Sequence, residues 1–198
     1  MSSTGVINGL VLAGGHSRRF GSDKAAVQLS GESLLQRTVS LLQEFCVEVR
    51  VSVRADQSDD ALRSAYPLLF DAPGIEGPPA ALLAAAAEAS EHAWLIVACD
   101  LPRLDRATLA GLVAARDPAR PATALRSPVD GLPEPLCAIY EPAGLASFKK
   151  LTARGRLSPR DFLIEQAALS VDPPLPEALI NMNRPADLAD LKRKELRP

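Results

Sequence analysis

Apolar and polar positions along the chain alternate between two periods. Val6–Leu12 is apolar apart from Asn8 and Gly9, the pattern of a strand buried on both faces, as in a parallel sheet. Ser33–Glu44 carries Leu34, Leu35, Val39, Leu41 and Leu42 close to helical spacing. Val47–Val53 alternates through four valines and reads as a strand. Asp59–Tyr66 predicts a short helix, and Leu68–Phe70 a short strand ending at Asp71. Gly77-Pro78-Pro79 opens an alanine-rich helix to about Ser90, because proline's missing N–H has no intrahelical acceptor in a first turn. Ala93–Ala98 reads as a strand ended by Cys99-Asp100-Leu101-Pro102, Arg106–Arg116 as a helix and Pro121–Leu125 as a strand. Proline-rich Asp117–Pro135 is expected to hold loops and an excursion from the sheet. Leu136–Tyr140 predicts a strand, Pro142–Ala153 and Pro159–Ala167 helices, Val171–Pro176 a connector and Pro185–Leu196 a final helix. This alternation with short links argues for an α/β fold with a mostly parallel sheet.

Composition narrows the class. A chain of 198 residues, 47% apolar and 23% charged, is expected to fold as one domain, residues 1–198. Aromatics make up 4%, so Leu, Val and Ala must build the core. The formal net charge of -2 leaves no footprint for a nucleic-acid polymer. Cys46, Cys99 and Cys137 are widely spaced and contain no CxxC pair, so neither a zinc site nor a disulfide framework is signalled. No charged segment followed by a long apolar run opens the chain, and no stretch approaches the roughly 20 apolar residues of a bilayer span. A cytoplasmic protein with reduced thiols and no membrane partner is the expectation.

Candidate chemistry gathers after the first strand, in GLVLAGGHSRRFGSDKA (Gly9–Ala25). Ligands of open parallel sheets sit beyond the carboxyl ends of the strands, where Gly14 and Gly15 fall. Backbone N–H groups of such a turn form an anion-binding concavity, to which Arg19 and Lys24 would add charge-assisted contacts. Arg18 reads as solvent-exposed, His16 as a loop histidine. The Walker spacing and the dinucleotide GxGxxG pattern are both absent. Asp100, at the tip of an apolar strand, suits a hard cation such as Mg²⁺ or serves as a turn aspartate. Asn183 is either a polar ligand or part of a helix N-cap. Cys99 and Trp94 are expected in the core, His92 at the surface.

LAGGHSRRFGSDKA resembles the LAGGxSxRMGxDKA signature of the molybdenum cofactor guanylyltransferases, with Phe20 in place of Met. These belong to the nucleotidyltransferase superfamily that also makes sugar nucleotides. Asp71 with Gly77-Pro78-Pro79-Ala80 resembles the family's aspartate and GPLxG segment, with Ala81 at the second glycine. Cys99-Asp100-Leu101-Pro102 matches its CDxP, Pro135–Tyr140 resembles PLxALY, and Asn181–Pro185 resembles NxNTP with Arg184 for Thr. Arg54 stands where the family carries Asn.

The resemblance implies a Rossmann-like three-layer α/β sandwich of the nucleotide-diphospho-sugar transferase type. It implies transfer of GMP from GTP to the terminal phosphate of molybdenum-molybdopterin, with Mg²⁺ as cofactor and release of pyrophosphate. Catalytic roles fall to Arg19, Lys24 and Asp100. Nucleotide binding falls to Leu12, Ala13, Gly14, Gly15, Lys24, Asp71 and Asp100, and metal binding to Asp100 and Asn183. Transient contact with a molybdenum-insertion protein or an apo-molybdoenzyme chaperone is implied as well. A CTP-dependent pterin cytidylyltransferase, a sugar-phosphate nucleotidyltransferase and a non-catalytic nucleotide-binding regulator stand as alternatives.

Overall fold

The structure is a computed structural model and describes residues 5–14, 23–88, 91–155, 158–183, 186–187 and 191. In chain order the elements are β1 (Ile7–Leu12), β2 (Gln28–Leu29), β3 (Glu32–Ser33), α1 (Leu34–Gln43), β4 (Val49–Val53) and β5 (Leu68–Phe70). They continue with α2 (Pro78–Glu88), β6 (Ala93–Ala98), α3 (Arg106–Ala114), β7 (Ala122–Arg126), β8 (Pro133–Tyr140), α4 (Pro142–Thr152), α5 (Pro159–Glu165) and β9 (Leu169–Val171).

Among the described residues, seven strands form one sheet in the order β5-β4-β1-β6-β8-β7-β9, and β2 and β3 form a separate ribbon. β1 pairs in parallel with β4 on one side and β6 on the other, with Leu12 opposite Ser52 and Ala98. β8 alone reverses, running antiparallel to both β6 and β7, so the sheet is mostly parallel, as expected. The chain moves outward from β1 to β4 and β5, then returns to β6 across β1. That reversal opens a crevice between the carboxyl ends of β1 and β6, the usual ligand position in such sheets.

Alternation along the central strands builds two cores. Val11, Leu95, Val97 and Ile139 point to the face covered by α1 and α3, packing on Leu35, Val39, Leu109 and Leu112. Leu10, Trp94, Ile96 and Tyr140 point to the other face, against Leu82 and Ala85 of α2, Leu145 and Phe148 of α4, and Phe162 of α5. Both faces of the sheet are thus buried, which is why its strands read as near-continuous apolar runs. Side chains cap the helices where the sequence supplies them: Ser33 accepts from the Gln36 amide at 3.1 Å and Asp105 from the Thr108 amide at 2.8 Å.

The structure departs from the sequence reading at several places. Asp59–Tyr66 is not a helix but a series of turns following a short 3₁₀ turn at Ala55–Gln57. The Asp60 carboxylate accepts the Arg63 amide at 2.9 Å, a local bond that competes with helix formation. Asp117–Pro135 is less irregular than expected: it contains all of β7 and the first residues of β8. Leu169–Val171, which takes in the first residue of the expected Val171–Pro176 connector, forms an edge strand, β9, parallel to β7. His92 is half-buried rather than exposed, with its Nδ1 3.3 Å from the Asn8 amide nitrogen. Most of the expected helix Pro185–Leu196 lies outside the described residues.

Gly144 on α4 lies against the backbone of Pro121, and a Cβ there would overlap the Pro121 carbonyl. That carbonyl accepts the Glu141 amide at 3.0 Å, tying the start of α4 to β7. Gly144→Ala is expected to lower stability by about 1–3 kcal/mol, read as a lower urea midpoint at unchanged slope.

Candidate active site

A cavity of about 460 Å³ occupies the crevice between β1 and β6. Its floor is the end of β1 (Leu12, Ala13, Gly14) beside the end of β6 (Ala98, Cys99, Asp100). One wall comes from Ser52 near the end of β4, Arg54 just beyond it and Asp71 just beyond β5, and from Gly77, Pro78 and Ala81 at the start of α2. Asp23, Lys24 and Ala25 face it from the other side. The sequence-predicted residues Leu12, Ala13, Gly14, Lys24, Asp71 and Asp100 therefore come together around one cavity, from points far apart in the chain. Gly15, His16, Arg18 and Arg19 lie outside the described residues.

Lys24 is placed by a short 3₁₀ turn, Lys24–Ala26, which Asp23 caps by accepting the Ala25 amide at 3.1 Å. Its ammonium lies 3.0 Å from Asp100 Oδ2 and donates to Asn183 Oδ1 at 2.8 Å. Asn183 reaches the site because the Met182 amide bonds the Asp100 carbonyl at 2.9 Å. Met182 itself is buried against Leu29 and Leu34. Two oxygens, one carboxylate and one amide, thus converge on a single cation at the strand tip. Hard oxygen donors of this kind suit a divalent ion that draws its remaining ligands from phosphates and water. The described residues contain no cluster of three or more His, Cys, Asp or Glu side chains able to hold a metal without substrate.

Gly14 earns its place by close approach: a Cβ there would sit 3.3 Å from Asp71 Oδ2 and 3.5 Å from the Arg54 nitrogen. Its carbonyl accepts from the Arg54 guanidinium, whose Nε also pairs with Asp56 at 2.9 Å. The residue that departs from the family pattern therefore braces the glycine turn. Ala81, another departure, is buried in α2 and still borders the cavity, and the departures Phe20 and Arg184 lie outside the described residues. Asp71 accepts the Ser52 hydroxyl at 2.5 Å. Burial raises its carboxyl above the ordinary range, and the Ser52 hydrogen bond and the Arg54 charge pull it partly back. Burial also pushes the Cys99 thiol up to about 12, which keeps it protonated and inert. Sequence reasoning missed Ser52 and Arg63. Ser52 sits in a strand without a motif, and Arg63 sits in the segment expected to be a short helix.

The family described as "MobA-like NTP transferase domain" matches residues 9–170. The chain belongs to this family. It is a nucleotidyltransferase, and enzymes of this family generally work with a divalent metal. It is similar to the probable molybdenum cofactor guanylyltransferase of Opitutus terrae, 35% identical over 204 residues covering 98% of each chain. It is also 32% identical over 183 residues to a molybdenum cofactor biosynthesis bifunctional protein of Synechocystis. That match covers 92% of this chain but 53% of the relative, so the chain spans about half of that longer protein. Among solved structures, molybdopterin-guanine dinucleotide biosynthesis protein A of Archaeoglobus fulgidus superposes with a TM-score of 0.74 at 20% identity. The superposition covers 94% of this chain and 97% of that one, which supports the shared nucleotide-diphospho-sugar transferase fold.

A carboxyl whose folded pKa lies above its unfolded value contributes stability at low pH. It loses that contribution as pH rises through the folded value. Asp71 behaves this way, and Asn cannot ionise. The thermal midpoint of Asp71→Asn, relative to the parent and without nucleotide, is therefore expected to rise with pH above the ordinary aspartate value of about 3.9. Unfolding scans across that window check it.

Proposed function

We propose that this protein transfers GMP from GTP to the terminal phosphate of molybdenum-molybdopterin, releasing pyrophosphate and forming the guanine dinucleotide cofactor. The observation that carries the chemical reading is the Lys24 ammonium held between Asp100 and Asn183 at the mouth of the β1–β6 crevice. The guanine and pterin assignments rest on the relatives of similar length described as molybdenum cofactor guanylyltransferases.

In this reading the triphosphate lies across the end of β1. Leu12, Ala13, Gly14 and Gly15 supply backbone, Asp71 contacts the nucleoside, and Arg19 and Lys24 face the phosphates. The terminal phosphate of the pterin attacks the α-phosphorus in line. The bond from that phosphorus to the bridging oxygen of pyrophosphate breaks as the new one forms. An acceptor phosphate is already ionised near neutral pH, so no general base is required and His16 is left without a role. Lys24 shifts from its carboxylate and amide partners toward the phosphates and follows negative charge as it moves to the leaving group. Asp100 and Asn183 would hold Mg²⁺, which when bound neutralises triphosphate charge. Their hard oxygens, already gathered around one cation, fit that ion. We place the reaction in the cytoplasm and the whole chain in one domain. A molybdenum-insertion protein or an apo-molybdoenzyme chaperone would be its transient partner.

Pyrophosphate release measured over the four nucleoside triphosphates, with molybdenum-loaded acceptor and Mg²⁺, tests the proposal. GTP alone should support turnover. Turnover with CTP but not GTP would instead mark a cytidylyltransferase, and release with a sugar phosphate as acceptor would mark a sugar nucleotidyltransferase. No release with any pair would leave a nucleotide-binding regulator. Asp100→Asn and Lys24→Ala should each lower kcat by about 100-fold or more, the usual cost of losing one group aimed at developing charge. Chelation of divalent ions should abolish release, and added Mg²⁺ should restore it.

A further inference from the structure

Arg63 is 1% exposed, an unusual place for a guanidinium. A buried charge of this kind persists only when its donors are satisfied and its charge is paired. Here all three nitrogens of the group have partners. Nε donates to the Ala13 carbonyl at 3.0 Å, and Nη2 donates to the same oxygen at 2.7 Å. Nη1 and Nη2 grip the two carboxylate oxygens of Asp23 at 2.7 and 2.8 Å. Nη1 also lies 3.0 Å from Asp60 Oδ1, an ion pair.

Ala13 and Asp23 are the stems that flank the glycine-bearing segment between β1 and Lys24. The chain leaves β1 at Ala13 and returns at Asp23, immediately before Lys24. One planar, rigid fork therefore fixes the spacing between the stems. Asp23 has a second bond, to the Ala25 amide, and so passes that constraint to the turn from which Lys24 projects. Asp60, by contrast, touches the fork from neither stem.

We infer that Arg63 is a positioning residue for nucleotidyl transfer: it ties Asp23 to the end of β1 and so sets Lys24 in line with the reacting phosphates. The inference rests on the activity proposed above. It assigns no contact between Arg63 and substrate. The effect runs through Ala13, Asp23 and Lys24.

A double-mutant cycle on pyrophosphate release separates this role from a merely structural one. Arg63→Lys keeps the charge but loses the two-pronged grip on Asp23. Its kcat should fall about 10- to 100-fold, with KM for GTP changing less than kcat. In the Lys24→Ala background the same substitution should change kcat by less than about threefold, because the group it positions is already gone. Equal fold losses in both backgrounds would overturn the inference, since general destabilisation acts whether or not Lys24 is present. If Arg63→Lys fails the far-ultraviolet circular dichroism check for folding, Asp23→Asn replaces it in the cycle with the same expectations. Asp60→Asn, which leaves both stems gripped, should lower the thermal midpoint while retaining most of kcat. A loss in kcat as deep as that of Arg63→Lys would count against the assignment. A parent protein that releases no pyrophosphate sinks the activity proposal and this inference with it. An active parent with additive losses sinks the Arg63 role alone.

Discussion

The parallel pairing of β1 with β6, Leu12 opposite Ala98, is the constraint on which the site depends. It brings the glycine turn and the Asp100 tip to the same edge of the sheet at strand-to-strand spacing. A shift of one residue in that register would exchange the two buried faces of β1, set Leu10 and Val11 against the wrong helices, and offset the two tips. The register is secured from both sides of the sheet. Val11 and Val97 are locked under α1 and α3, and Leu10 and Ile96 under α2 and α4. Packing energy far from any polar atom therefore decides where the polar atoms meet.

The polar atoms themselves are arranged as held charges rather than free ones. Asp71 is bound by Ser52, Lys24 by Asp100 and Asn183, and Arg63 by two carboxylates and a carbonyl. Groups fixed in this way lose little on reorganising when charge moves on a substrate. The same neighbourhood reaches Cys99, whose thiol feels Asp100, Arg63, Asp23 and Lys24 in addition to its burial. Five ionised or ionisable side chains thus share one small volume. A substitution at any of them alters the field at the others, so their effects are expected to be non-additive.

Much of this was legible in the chain, and the reasons are physical. Strands buried on both faces announce themselves as apolar runs, and Val6–Leu12 and Ala93–Ala98 did so. Lys24, Asp71 and Asp100 fell at strand ends or beside glycines, where open sheets bind ligands, and the structure gathers them around one cavity. Residues 133–135 were hidden by their prolines, which sequence reasoning assigns to loops, although they begin β8. β9 was hidden by its length, three residues, half-buried at an edge. Arg63 was the least legible: nothing in its neighbours distinguishes an inward-turned guanidinium from an exposed one. Its partners Ala13 and Asp23 lie 50 and 40 positions away.

The tether from Met182 to the Asp100 carbonyl has a consequence for how the enzyme is born. Lys24 and Asn183 are separated by 159 positions, so a ribosome delivers one long before the other. The sheet's central strands emerge and can associate while the segment that completes the pocket is still unmade. A contact of such span is slow to close. Each newly synthesised molecule should pass through an interval in which its scaffold is standing and its chemistry is not yet assembled.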